Sequence, residues 1–308
     1  MDTLWDLVGD KIPNDHARQV HSRYYLHEVL TAPDAPDLVV DLGCGNGASA
    51  ALAREYKPDV HWVGVDILQS EPARELRDLD VVMYDGVLLP FRDDSVPLIY
   101  SNQVMEHVRY PEALLREVHR VLEPGGVFIG STSQLEPYHH WSLWNYTVYG
   151  FRVLVEDAGL VLEEVRPGID GISLVQRQWF GRKKEHGKWF SLSPLNIEID
   201  QWAAGRGSKP AEVNLRKLQF AGHFSFRVCK PGAERRFVSA PATAAADELP
   251  PPRVGSMVPL GAPLAPAPAT PTPSPTLRQL MRRRARRVVR WTRSQARRRA
   301  GFLRALEK

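Results

Sequence analysis

Cysteine is scarce in this chain: Cys44 and Cys229 are the only two among 308 residues. Two cysteines cannot build a disulfide scaffold, and their scarcity points to a reducing compartment. Long apolar runs are missing as well. No stretch reaches the roughly 18 apolar residues of a membrane-spanning helix. The first residues, Met1-Asp2-Thr3-Leu4-Trp5-Asp6, hold no basic stretch leading into an apolar one, so nothing reads as a leader. The expectation is a cytoplasmic protein.

Acidic residues are almost absent from one end. Residues 277–308 carry 13 Lys and Arg against one carboxylate, Glu307. The formal net charge of +4 therefore hides a division, because the other 276 residues hold 27 basic and 35 acidic side chains. Leu277, Met281, Ala285, Val288, Thr292, Ala296 and Leu303 follow steps of three, four or seven. That spacing predicts an Arg-rich amphipathic helix over 277–308. Such a helix suits an anionic membrane surface or another polyanion, which adds peripheral contact at the inner membrane face to the expectation. Residues 231–276 contain 12 prolines in 46 positions. A segment of that kind cannot bury enough apolar surface to offset chain entropy, and a disordered Pro/Ala-rich linker is predicted there. The folded domain is expected at about 1–230.

Within that domain, apolar runs alternate with helical patterns. Strands are predicted at 38–42, 61–66, 81–84, 98–100, 127–130, 161–165 and 224–228. Helices are predicted through the first thirty residues, at 48–56, at 111–122 and at 150–159, with Glu123-Pro124-Gly125-Gly126 as a helix stop. Alternation of this kind implies an α/β fold: a mostly parallel sheet with helices on both faces. A long insertion at 172–222 interleaves Trp179, Phe180, Trp189, Phe190 and Trp202 with Arg177, Arg182, Lys183, Lys184 and Lys188. It reads as a substrate lid, an oligomer contact or a single-strand nucleic-acid surface.

The densest signal is Leu38-Val39-Val40-Asp41-Leu42-Gly43-Cys44-Gly45-Asn46-Gly47. An apolar strand ends in a carboxylate, and a glycine-rich turn follows. Asp66 closes the next apolar run. Gly43-x-Gly45-x-x-Ala48 matches the dinucleotide fingerprint, and Asp66 stands where a ribose-binding acid belongs. Asp41 argues against a dinucleotide. A carboxylate beside the turn would face a doubly negative pyrophosphate, whereas it suits a ligand bearing an ammonium and a sulfonium. S-adenosylmethionine is such a ligand, and its own carboxylate can be held by N–H groups at the helix start.

At this point the chain resembles the class I S-adenosylmethionine-dependent methyltransferases, in particular the type 11 group. Asp41-Leu42-Gly43-Cys44-Gly45-Asn46-Gly47, Gly64-Val65-Asp66, Asp85-Gly86 with Pro90-Phe91, Ser101 through Val108, and Arg120 through Gly126 match its motifs in order across 38–130. Glu123 stands where Lys is usual. The resemblance implies a Rossmann-like seven-stranded sheet whose last strand is antiparallel. It also implies roles. Asp41 approaches the methionine ammonium, and Gly43, Gly45 and Gly47 admit the cofactor. Asp66 takes the ribose hydroxyls, Ile67 packs on adenine, and Asp85 and Gly86 meet the adenine edge. Gln103 lies along the methionine portion.

A hydroxyl acceptor must also lose a proton, and imidazole exchanges protons near neutral pH. His107, after the fourth strand, is the candidate general base. Gln103-x-x-Glu106-His107 is similar to the Glu-x-x-Glu-His metal site of some relatives, including quinone O-methyltransferases and small-RNA methyltransferases. The first carboxylate is Gln here, and a divalent-cation site would need Glu106, His107 and one of His139 or His140. Tyr138, His139, His140, Trp141 and Trp144 form the candidate acceptor segment. The N-terminal stretch with His16, Arg18, His21, Arg23 and Tyr24 is a second lid by family analogy. Aromatic rings among polar groups suit a sugar, glycan or natural product, and the leading expectation is O-methylation of such a hydroxyl. Alternatives are a nucleic-acid methyltransferase, a quinone-type small-molecule enzyme, and a cofactor-binding adaptor that acts through its basic tail. No Asn/Asp-Pro-Pro-Tyr/Phe motif for amino-group methylation occurs.

Overall fold

In the computed structural model, residues 3–232 and 236–237 are described. The predicted linker at 231–276 and the predicted helix at 277–308 lie almost wholly outside the described residues. Seven strands form one sheet: β1 (Leu38–Leu42), β2 (His61–Ile67), β3 (Val81–Tyr84), β4 (Val96–Asn102), β5 (Leu122–Ser133), β6 (Val161–Pro167) and β7 (His223–Cys229). Their spatial order is β3-β2-β1-β4-β5-β7-β6. β7 is antiparallel to both β5 and β6, while β1 through β5 pair parallel. The sheet therefore has the Rossmann-like order and the reversed last strand that the motifs imply.

The helices are α1 (Leu4–Val8), α2 (Arg23–Leu30), α3 (Ala48–Tyr56), α4 (Glu71–Glu75), α5 (Pro111–Val121), α6 (Val148–Asp157), α7 (Gly171–Trp179), α8 (Pro194–Ala204) and α9 (Pro210–Phe220). They cover both faces. One core packs Leu114, Leu115, Val118 and Val121 of α5 and Phe151 of α6 on Phe128, Phe224 and Phe226. The other packs Tyr25, Leu26 and Val29 of α2 and Ala50 and Ala53 of α3 on Val39, Trp62 and Ile129. The strands between are apolar on both sides, as a sheet sandwiched by helices requires.

Three sequence expectations shift. The first thirty residues are not one helix: α1 and α2 are separated by a segment that Pro13 interrupts, and the backbone N–H of Val20 donates to Pro167 O at 2.9 Å instead. The stop expected at 123–126 is strand: β5 begins at Leu122 and carries a ladder irregularity opposite Val96 and Leu98. Gly125, at φ +78°, makes this bend inside the strand. The insertion at 172–222 is largely helical, built from most of α7 with α8 and α9. Packing also continues past residue 230. Phe237 is buried in the second core, and its N–H donates to Asp34 Oδ2 at 3.1 Å.

Candidate functional site

The carboxyl ends of β1, β2, β4 and β5 converge on one edge of the sheet, the usual ligand position in such a fold. Asp41, next to last in β1, is 3% exposed. The Ser49 hydroxyl, at the start of α3, donates to Asp41 Oδ2, and the Trp62 indole N–H donates to Ser49 Oγ at 3.0 Å. Burial pushes the Asp41 carboxyl up to about 7, against the bond from Ser49 and with the nearby Asp66 charge. Among the described residues no cation is set against this carboxyl, and the site suits a positive group from outside.

The three turn glycines differ in what surrounds them. Gly43, Gly45 and Gly47 all have positive φ, at +76°, +52° and +71°. A Cβ on Gly43 would stand 2.4 Å from Val104 Cγ2, and one on Gly47 would stand 2.6 Å from Leu79 Cδ1. A Cβ on Gly45 would meet no protein atom within 4 Å. Gly43 and Gly47 thus serve the protein's own packing, and Gly45 borders open space. Gly45→Ala is expected to weaken cofactor binding by about tenfold or more, with a stability loss limited to roughly 1–2 kcal/mol of left-handed backbone strain. Gly43→Ala should destabilise the fold further, because Val104 must also move. Calorimetric titration beside thermal melts separates the two.

Asp66, at the end of β2, accepts the Gly45 N–H on Oδ2 and the Ile67 N–H on Oδ1, both at 2.8 Å. Its carboxylate therefore pins the glycine turn. Ile67 and Leu68 follow it at 41% and 47% exposure, an apolar shelf fit for a flat ring. Gly86, at φ +91°, lies under that shelf, 3.6 Å from Ile67 Cγ2 by its would-be Cβ. Asp85 Oδ1 accepts from the N–H groups of Val87 and Leu88 at 2.8 Å each, which holds its carboxyl low.

Gln103 sits just past β4 in the left-handed region at φ +57°, a strained position for a non-glycine residue. Its Nε2 donates to Ser131 Oγ at 3.0 Å, and its Oε1 lies 3.2 Å from Ser133 Oγ. It lines a cavity of ≈ 360 Å³. That cavity is walled by Val20, His21 and Ser22 of the N-terminal segment, by Asn102 and His107 after β4, and by Ser131 of β5. Glu136, His139 and His140 of the following loop, Gly168 and Ile169, Phe190 of the insertion, and His223 and Ser225 of β7 complete it. Five imidazoles and one carboxylate face this space, beside the apolar side chains of Val20, Ile169 and Phe190.

Glu136 organises the floor. Its Oε2 meets His223 Nε2 at 2.9 Å, its Oε1 lies 3.5 Å from His139 Nδ1, and Ser133 also donates to it. Burial works against this carboxylate's charge, but the His223 bond and the neighbouring imidazoles outweigh it and hold the group low. His21 is pushed down to about 4, by burial first and then by Arg23 and His223, so it is uncharged at neutral pH. Gln19 ties two walls together: its Nε2 donates to the carbonyls of Trp189 and Phe190 at 2.8 and 2.9 Å.

Residues 40–130 match the family described as "Methyltransferase domain". Among curated proteins, the chain is 35% identical over 114 residues to an uncharacterized 37.1 kDa transposon protein of Streptomyces fradiae, covering 34% of this chain and 33% of that one. It is 34% identical over 123 residues to an uncharacterized methyltransferase of Mycobacterium leprae, covering 37% and 45%. It is 33% identical over 114 residues to a malonyl-[acyl-carrier protein] O-methyltransferase of Dechloromonas aromatica, covering 37% and 43%. The chain contains a class I S-adenosylmethionine-dependent methyltransferase domain. The alignments span less than half the length of these curated relatives.

In this methyltransferase domain the cofactor candidates Asp41, Gly43, Gly45, Gly47, Asp66, Ile67, Asp85, Gly86 and Gln103 line the strand ends from β1 to β4. A buried uncompensated carboxyl, an open glycine and an exposed apolar shelf fit S-adenosylmethionine. The acceptor candidates divide. His139 and His140 line the cavity, whereas Tyr138 and Trp141 are not part of its lining and are 74% and 86% exposed. Trp144 is also outside the lining: its indole N–H donates to Val108 O at 2.8 Å, pinning the loop to the turn after β4. His223 is not marked by the sequence, whereas His21 and Phe190 belong to the two candidate lids and Glu136 opens the candidate acceptor segment. His223 comes from the last strand, more than a hundred residues beyond His107, and no local pattern marks it.

Glu106, His107 and His139 each offer a ligand atom, all within 4.8 Å of one another, and His140 is not part of this group. Glu106 is fully buried and accepts from Thr132 Oγ1 at 3.0 Å, with Ser133 Oγ 3.4 Å from its other oxygen. Burial pushes its carboxyl up.

Proposed function

We propose that this protein methylates a hydroxyl group on a polar, hydroxyl-rich small molecule such as a sugar, glycan or natural product, using S-adenosylmethionine. The observation that carries the reading is the cavity beside Gln103, lined by His21, His107, His139, His140 and His223 with Glu136 beneath. Imidazoles and hydroxyls there can donate to and accept from several acceptor hydroxyls at once. When bound, S-adenosylmethionine supplies an electrophilic methyl on a sulfonium, so the protein's task is chiefly positioning. Asp41 holds the cofactor's ammonium, Asp66 its ribose, and Ile67 and Leu68 its ring. His107 takes the proton of the acceptor hydroxyl on a ring nitrogen. Glu136 orients His223 and His139, which hold the acceptor in place.

A second reading is favoured by the grouping of Glu106, His107 and His139. These residues would hold a divalent cation, which would supply Lewis-acid orientation of adjacent acceptor hydroxyls. The first test is product identification. Full-length protein and S-adenosylmethionine labelled in the methyl group are incubated with fractionated cell extract. A labelled methyl ether on a polyhydroxyl compound is the expected product. Label on an amine, on a carbon or on nucleic acid would overturn the acceptor reading while leaving the cofactor reading in place.

A further inference from the structure

Among the described residues, helix α7 leaves one face without a partner. Ile172, Val175 and Trp179 follow one stripe of the helix and are 45%, 54% and 83% exposed, while Ser173 and Leu174 are buried beneath. Phe180 continues the stripe at 51%. Gly171 seats this helix against the loop after β5, since a Cβ there would lie 2.7 Å from Leu135 Cβ. That loop adds Leu135 and Trp141, also exposed. The same loop and the turn entering α7 wall the acceptor cavity, so the apolar patch borders its rim. Large apolar side chains exposed together along one helix face mark an interaction surface.

We propose that this face seats the protein on an anionic phospholipid bilayer, with the cavity rim at headgroup level. Charge complementarity selects the occupant. Arg182, Lys183, Lys184 and Lys188 are exposed directly after the stripe, and Glu185 is the one carboxylate in 177–188. Aliphatic and aromatic side chains flanked by lysine and arginine are the composition of interfacial surfaces, where rings and alkyl groups enter the acyl boundary and cations meet lipid phosphate. A nucleic-acid platform needs ring faces for stacking, which Ile172 and Val175 do not offer. A two-fold contact between copies would bring the same cations against each other. The class of acceptor that follows, an amphiphile whose hydroxylated head enters the cavity, rests on the methyl-transfer reading; the docking itself does not.

The test uses the full-length chain and vesicles of phosphatidylcholine with about a third phosphatidylglycerol, without cofactor or acceptor. The expected result is flotation with these vesicles and quenching of tryptophan emission by brominated acyl chains. Val175→Glu/Trp179→Glu should lower the partition coefficient on the order of tenfold or more, with an unchanged thermal melt because both side chains are exposed. Trp179→Phe should retain binding but lose part of the quenching. Wild-type partition by the double variant would overturn the proposal and assign vesicle binding to another part of the chain. So would a change only in sedimentation, which would make the face a contact between copies. Loss only of oligonucleotide binding would make it a nucleic-acid surface. Because no methyl transfer is read, failure here leaves the proposed reaction untouched.

Discussion

Replacing Asp41 with Asn is expected to weaken S-adenosylmethionine binding on the order of a hundredfold while making the cofactor-free protein more stable. Both effects come from one buried carboxyl. Its folded pKa stands at about 7 against an ordinary value of 3.8, chiefly through burial. A group raised in this way contributes stability that is fully present below 3.8 and lost as pH rises through 7. Asn carries no charge and keeps that contribution at every pH. At pH 8 the cofactor-free variant should therefore gain about 2–4 kcal/mol, read as a melting point higher by roughly 5–10 °C. Below pH 4 the two proteins should melt alike. On the proposed reading, the charge that lowers the stability of the cofactor-free protein is the one that meets the ligand's ammonium.

The same reasoning sets the pH dependence of binding. Only the ionised carboxyl pairs with the ammonium, so affinity should fall by up to about tenfold per pH unit below 7. It should fall again above about 8, where an α-amino group loses its proton. Asp41→Asn should abolish the acidic limb and keep the alkaline one. A bell that survives unchanged in the variant would assign the limb to another group and remove Asp41 from the ammonium's partners. Calorimetric titration across this range gives both limbs and the affinity loss together.

Substituting His107 with Ala should slow single-turnover methyl transfer by about 10²–10³-fold at unchanged cofactor affinity. The imidazole lines the cavity, and its ring packs edge-on against His139 at 5.3 Å between centroids. Removing it takes away the group placed to accept the acceptor's proton but leaves Asp41, Asp66 and the glycine turn intact. Dialysis against a chelator separates the two roles open to this residue. With His107 as base, wild-type turnover survives chelation. With His107 as ligand beside Glu106 and His139, chelation abolishes turnover and a divalent salt restores it. An unchanged single-turnover rate in His107→Ala would exclude both.

Much of the scaffold was legible because strands buried on both faces must be apolar throughout. Val39-Val40, Val81-Val82-Met83-Tyr84 and Phe224-x-Phe226-x-Val228 announce themselves, and β3 has the predicted bounds. The helix α5 was equally plain, with Pro111 at its start and its apolar residues at helical spacing. The first thirty residues were misread because local propensity cannot register Pro167 O, the distant acceptor that holds Val20 in an irregular path. The 123–126 segment reads as a stop by composition, yet two glycines inside a bulged strand satisfy the same pattern.

The cofactor side of the site was contained in the sequence itself. Its candidates stand at the ends of β3, β2, β1 and β4, which are neighbours in the sheet, and each is marked by a local motif at its own strand end. The acceptor side was decided only by tertiary structure. His21, His107, Glu136 with His139, Phe190 and His223 come from five separate parts of the chain, and they meet because β7 inserts antiparallel between β5 and β6 while Gln19 ties the N-terminal segment to the insertion. Contacts across such separations carry no local periodicity, which is why Tyr138, Trp141 and Trp144 looked like pocket residues in the sequence and stand outside the pocket in the fold.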